Sequence, residues 1–254
     1  MATPTSYGSL RSVEAGAMGT ELATTQAPGV KLSHAGLLAA LRLGSAALPI
    51  GAFAYSQGLE QAVERGAVHD LDSARRWVVG LLASSVLSAD VPLLVRLQLA
   101  WSLGDEPSVR RFSDTLFAMR PTRELREEER QLGGALFRLL ERSGLEQAIG
   151  WAREPHATLA AAFALAAANW QLPAEAAAAS YCFAWAEAQV GAATRLIPLG
   201  QSAAQTVLSG ALQAIEAGLP SALTLEDDEI TSTAPGQALL SASHETQYSR
   251  LFRS

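Results

Sequence analysis

From residue 33 onward apolar residues recur at three- and four-residue spacings, and no segment alternates between apolar and polar positions. The spacing predicts α-helices, and the missing alternation argues against strands. Ser33 precedes Leu37, Leu38, Leu41 and Leu43, which predicts an N-capped helix ending near Gly44. A second helix is expected over 53–65, stopped by Gly66. Asp70 or Asp72 caps a third, which carries Trp77, Val78, Leu81, Leu82 and Val86 and reaches about Ser88. Asp90-Val91-Pro92 then opens a separate helix to about Leu103, with Pro92 in its first turn, where a missing N–H costs little. Another is expected over 108–119. Thr122 as cap and Gly144 as stop enclose TRELREEERQLGGALFRLLERSG, in which Leu125, Leu132, Leu136, Leu139 and Leu140 form a stripe opposite an Arg/Glu face.

The second half has the same organisation with smaller side chains. Helices are expected over 156–171, from Pro173 to the Arg195–Pro198 region, and from Gly200 to Gly218. Alanine leaves little bulk between backbones, so these helices pack closely. The pattern predicts an all-α, single-domain bundle of about eight to ten helices over residues 31–222. A flexible arm over 1–30 precedes it. An acidic linker containing Glu226-Asp227-Asp228-Glu229, with a distinct tail, follows over 223–254.

Composition narrows the function. With 49% hydrophobic and 17% charged residues, the ordered part is globular. The formal charge of −6, without any run of Lys or Arg, argues against nucleic-acid binding. One cysteine, Cys182, leaves no disulfide framework and no Cys-cluster zinc site, which suits a reducing cytosol. The N-terminal residues do not form a basic segment followed by an apolar one, so no secretory signal is read. The longest uncharged apolar stretch, 155–174, is mostly alanine and carries His156, Asn169 and Gln171. It reads as a buried helix rather than a membrane span. The expectation is a soluble cytoplasmic protein that binds neither membrane nor nucleic acid.

Three features are candidates for chemistry. The pentamer Ala54-Tyr55-Ser56-Gln57-Gly58 is one residue away from the G-x-S-x-G nucleophile elbow, which needs a strand before its serine and a histidine and an acid after it. No strand precedes Ser56, and none of His34, His69, His156 and His244 stands in a triad-like setting, so Ser56 reads as a small residue in the opening turns of a helix. His69-x-x-Asp72 and His244-Glu245 are the His/acid pairs close in sequence, too few for a tight metal site; a weaker reading makes His244 and Glu245 nickel ligands. The third feature is the tail HETQYSRLFRS, where Tyr248, Leu251 and Phe252 interleave with Arg250 and Arg253. Chain ends fray unless something covers them, and Tyr and Arg are favoured interface anchors. The tail therefore docks either on a partner or back on its own domain.

Four segments together resemble a known family. LPIGAFAYSQGLEQAVERG at 48–66, RELREEER at 123–130, RLIPLGQ at 195–201 and the terminal HETQYSRLFRS are similar to blocks of the urease accessory protein UreF family, in the same order and spacing. Ala52 and Ala54 depart from the Gly or Ser of many relatives, and the arm 1–30 is not a shared feature. The resemblance implies an all-α, dimeric, non-enzymatic assembly protein without a cofactor of its own. It implies binding to a UreD/UreH-type accessory protein and recruitment of the UreG-type GTPase, whose activity it modulates. It also implies that nickel passes through the assembled complex to the urease apoprotein. Partner-binding residues implied by the family motifs are Phe53, Tyr55, His244, Glu245, Tyr248, Arg250, Leu251 and Phe252. The Arg/Glu face at Arg123, Glu124, Arg126 and Glu127 is a candidate surface for the GTPase, with a solvated helix face as the alternative.

Overall fold

The computed structural model describes residues 32–254, and the arm expected over 1–30 lies outside them. Ten α-helices and no strand are present among the described residues. Helix α1 spans His34–Leu43 and α2 the short Leu59–Glu64. Then follow α3 (Leu71–Leu81), α4 (Val91–Leu103), α5 (Glu106–Ala118) and α6 (Arg123–Arg142). The second half holds α7 (Leu159–Asn169), α8 (Ala174–Leu196), α9 (Gln201–Ala222) and α10 (Pro235–His244). Helix α7 is central, packed on α4 and α6, while α9 lies against α3 and α8. Ala160 to Ala167 are all buried, and this alanine surface lets the neighbouring backbones close in.

The capping side chains act as expected. Ser33, Asp70 and Thr122 accept from the backbone N–H groups of Gly36, Ser73 and Leu125, each satisfying one orphan donor of a first turn. Gly133 is the most tightly enclosed of the described glycines: a Cβ there would run into the carbonyl oxygen of Ala157, just before α7.

Three expectations are corrected. The helix expected over 53–65 is a 3-10 turn at Ala52–Ala54 followed by α2, because Gln57 and Gly58 take left-handed backbone conformations with φ of 55° and 85°. Ser56 therefore precedes the helix instead of lying in its first turns. The two helices expected on either side of Asp90 form one continuous 33-residue helical run, Leu71–Leu103, with a π-helical segment at Leu82–Asp90. Pro92 cannot donate to the Ser88 carbonyl four residues back, and the linker supplies the missing donor: Thr231 N–H reaches Ser88 O at 3.1 Å and Thr233 N–H reaches Ser84 O at 2.9 Å. This run is long and apolar enough to cross a membrane, yet 61% of its apolar window is buried against the rest of the chain. The third correction is α10, which occupies part of the segment read as tail.

Candidate functional site

The four sequence blocks, far apart in the chain, meet in one place. Within 48–66, Gly58 lets α10 approach: a Cβ at its left-handed backbone would stand 3.2 Å from Ser241 N. Gln57 holds its left-handed conformation, costly for a residue with a side chain, through three polar contacts. Its Nε2 donates to Glu128 Oε1 at 2.7 Å, its Oε1 accepts from Trp185 Nε1 at 2.9 Å, and its carbonyl accepts from Gln237 Nε2 at 3.2 Å. The tail then lies along this segment. Arg253 N–H donates to Ala54 O at 2.8 Å, and Ser56 N–H donates to Ser254 O at 2.9 Å.

Glu60 and Glu124 secure the tail from below. Glu60 accepts from the Leu251 N–H at 2.7 Å on Oε1 and from the Phe252 N–H at 2.9 Å on Oε2. Glu124 Oε1 accepts from Arg250 Nη1 at 2.7 Å. His244 lies between these carboxylates, with Nδ1 2.7 Å from Glu124 and Nε2 3.1 Å from Glu60. Glu245 caps α6 from outside by accepting from the N–H groups of Arg123 and Glu124. Arg195, from the third block, donates to Phe53 O at 2.9 Å and places its guanidinium 4.5 Å over the Phe252 ring, a cation–π contact that ties motif to tail.

Glu128 and Glu129 extend the module inward. Burial pushes the Glu128 carboxyl up to about 7, although Gln57 and Ser254 both donate to it. Glu129 and Asp90 both pair with Arg120, Asp90 at 2.8 Å. Burial raises the Asp90 carboxyl as well. The Tyr181 hydroxyl donates to Asp90 at 3.2 Å. A cavity of about 210 Å³ opens beside this network, with Asp90, Glu128, Glu129, Leu43, Ile50 and Phe53 among its lining residues. Among the described residues no group of three or more His, Cys, Asp or Glu is placed to hold a metal ion.

The expected contact residues divide by exposure. Phe53 (74% exposed), Tyr248, Leu251 and Arg250 face solvent. Tyr55, His244 and Phe252, read from the sequence as partner contacts, are buried among this chain's own residues, where they fix the tail in place. Of the Arg/Glu face, Arg123 and Glu127 are exposed. Glu124 and Arg126 are partly buried by contacts within the chain, Arg126 donating to Arg120 O at 2.6 Å. Ser56 is fully buried, and the described partners of its hydroxyl are backbone groups, Ser254 O and Glu60 N–H. Both ring nitrogens of His244 face carboxylates, so the nickel-ligand reading of His244 and Glu245 finds no support in this geometry. Cys182 is buried and its thiol is pushed up to about 12, which makes it unreactive.

Sequence reading missed Glu60, Glu128 and Arg195 as parts of the site. A signal was present for Glu128 and Glu129: they lie three and four residues beyond Leu125 and four and three before Leu132, within the apolar stripe.

Fold and site together define an all-α protein organised around a tail docked on its own motif. The UreF family model matches residues 68–212, and this chain belongs to the UreF family of urease accessory proteins. It is 46% identical over 213 residues to the urease accessory protein UreF of Alkalilimnicola ehrlichii, covering 84% of this chain and 93% of that protein. The corresponding protein of Azoarcus sp. is 43% identical over 223 residues, with 86% and 95% covered. The bifunctional urease accessory protein UreEF of Bordetella bronchiseptica is 44% identical over 232 residues, which is 87% of this chain and 52% of that longer one.

Proposed function

We propose that this chain is a non-enzymatic scaffold of urease maturation in the cytoplasm. In this reading it bridges a UreD/UreH-type accessory protein and a UreG-type GTPase, whose activity it modulates. Nickel is cargo of the assembled complex on its way to the urease apoprotein and has no resident site in this chain. The observation that carries the reading is the convergence of the four blocks on one module whose exposed residues include Phe53, Tyr248, Leu251, Arg250 and Arg253. Exposed aromatic and aliphatic groups flanked by arginines are the composition of a protein-binding surface. Leu37, Leu38 and Leu41, exposed on α1, form a second apolar face suited to a homodimer contact.

The test is a pull-down with a UreD-type protein. The full chain is expected to capture it, and the triple variant Phe53→Ala, Tyr248→Ala, Leu251→Ala is expected to lose at least about tenfold in affinity without losing helicity. Equal capture by both overturns the assignment of this surface.

A further inference from the structure

His244 closes α10 and is fully buried, with one ring nitrogen toward Glu124 and the other toward Glu60. A carboxylate oxygen accepts and does not donate, so a ring facing two carboxylates is hydrogen-bonded on both sides when it is the imidazolium. A neutral ring turns one bare nitrogen toward a carboxylate oxygen in a site closed to water, where the mismatch is costly. A proton on a carboxyl is the poorer arrangement. Both Glu60 oxygens already accept tail amides, and a proton on Glu124 Oε2, although it could donate to Nδ1 of a neutral ring, would leave the Arg250 guanidinium facing an uncharged carboxyl. With the ring charged, Glu60 and Glu124 are matched by His244 and Arg250.

We propose that His244 is a proton-operated latch for the tail: as imidazolium it holds Glu60 where the Leu251 and Phe252 amides are received, and loss of a ring proton as pH rises releases them. The charged and titratable groups facing the ring are Glu60 of α2 and Glu124 of α6, with Arg250 of the tail bonded to Glu124. Glu128 is a second titratable group on the tail, through Ser254 Oγ at 2.8 Å, and must be separated from His244 experimentally. The latch rests on contacts within this chain; its bearing on partner capture rests on the docking surface proposed above.

Hydrogen exchange of the full chain, read by mass spectrometry and corrected for the intrinsic pH dependence of exchange, tests it. The tail peptide 245–254 is compared with the α7 peptide 159–169 at about pH 5.5 and about pH 8.5. Protection of the tail is expected to fall at least about tenfold between these values in the wild type and in Glu128→Gln. In His244→Gln it is expected to be low at both, with α7 unchanged throughout. Equal wild-type protection at both pH values overturns the latch, as does a fall that persists in His244→Gln. If His244→Gln loses α7 protection too, the wild-type ring is read directly by nitrogen-15 NMR. Both ring nitrogens are expected to carry protons at about pH 5.5, and a singly protonated ring there overturns the proposal. A pull-down that fails while the tail stays protected counts against the docking surface and leaves the latch standing.

Discussion

Replacing Gly133 by alanine tests the most tightly enclosed of the described glycines. Its new Cβ would meet the Ala157 carbonyl oxygen at 2.3 Å, the Thr158 carbonyl carbon at 2.5 Å and the Thr158 oxygen at 2.7 Å. All three are backbone atoms, so no side chain can swing aside, and the helices must part by about 1 Å to reach ordinary contact distance. That movement pulls on the entry to α7, where Glu129 accepts from the Leu159 N–H at 3.0 Å and Ser113 Oγ donates to His156 O at 2.6 Å. Overpacking of this kind costs about 1–3 kcal/mol, and a weakened cap adds about 1 kcal/mol. Against this stands a gain of about 1 kcal/mol for alanine over glycine inside a helix. A net loss of about 1–3 kcal/mol follows, or roughly 2–4 °C in Tm for each kcal/mol in a chain of this size. Gly80→Ala in α3 is the control, because a Cβ there meets nothing within 4 Å and should stabilise by about 0.5–1 kcal/mol. Urea denaturation followed by circular dichroism measures both. If Gly133→Ala is as stable as Gly80→Ala, the α6–α7 contact is not what limits this position.

Two further outcomes are expected from the module. The Glu128 carboxyl is raised from 4.5 to about 7 by burial, so the folded state holds this proton more tightly than the unfolded chain. Stability from that proton is full below pH 4.5, falls as pH rises toward about 7 and is level above it, a loss of about 3 kcal/mol at most. Glu128→Gln should remove this slope, since a glutamine amide can accept from Gln57 and donate to Ser254; parallel pH profiles for the two proteins in urea denaturation would refute it. Phe252→Ala deletes the buried ring beneath Arg195. On local opening of the tail with the bundle still folded, trypsin cleavage after Arg250 and Arg253 should rise about tenfold while the urea midpoint barely moves. An unchanged cleavage rate would show that the ring does not hold the tail.

Much of the fold was legible because local chemistry and tertiary packing agree. Ser33, Asp70 and Thr122 cap helices in the structure as their positions in the sequence imply. Disagreement arises where a distant segment supplies what the local sequence lacks. Pro92 reads as a helix start because it cannot donate to Ser88, and nothing near it in sequence shows that Thr231 will make that bond instead. Helix α10 consists largely of small and polar residues behind Pro235-Gly236, a weak helix by pattern. It forms against Gly58 and α6, with Ser241 Oγ 2.8 Å from Thr122 Oγ1. Gln57 likewise reads as a helical residue, because its left-handed turn is enforced by Glu128, Trp185 and Gln237 from three other elements.

The site was legible in its ingredients and hidden in its arrangement. Each block contributes a different half-interaction. The motif supplies Ala54 O, Ser56 N–H and the Glu60 carboxylate, α6 supplies Glu124 and Glu128, and α8 supplies the Arg195 guanidinium. The tail brings the matching amides, imidazole and ring. A buried carboxylate is costly unless its hydrogen bonds are met, so Glu60 needs the tail as much as the tail needs Glu60. This reciprocity bears on how contact residues are found. Docking residues inferred from the motifs mix two roles, because Phe53 and Leu251 are exposed while Tyr55, His244 and Phe252 are buried supports. Substituting a support disturbs the exposed residues it positions, and loss of partner binding alone therefore does not make it a contact. Exchange of the tail peptide measured beside partner capture separates the roles: a contact variant loses capture with the tail protected, whereas a support variant loses both.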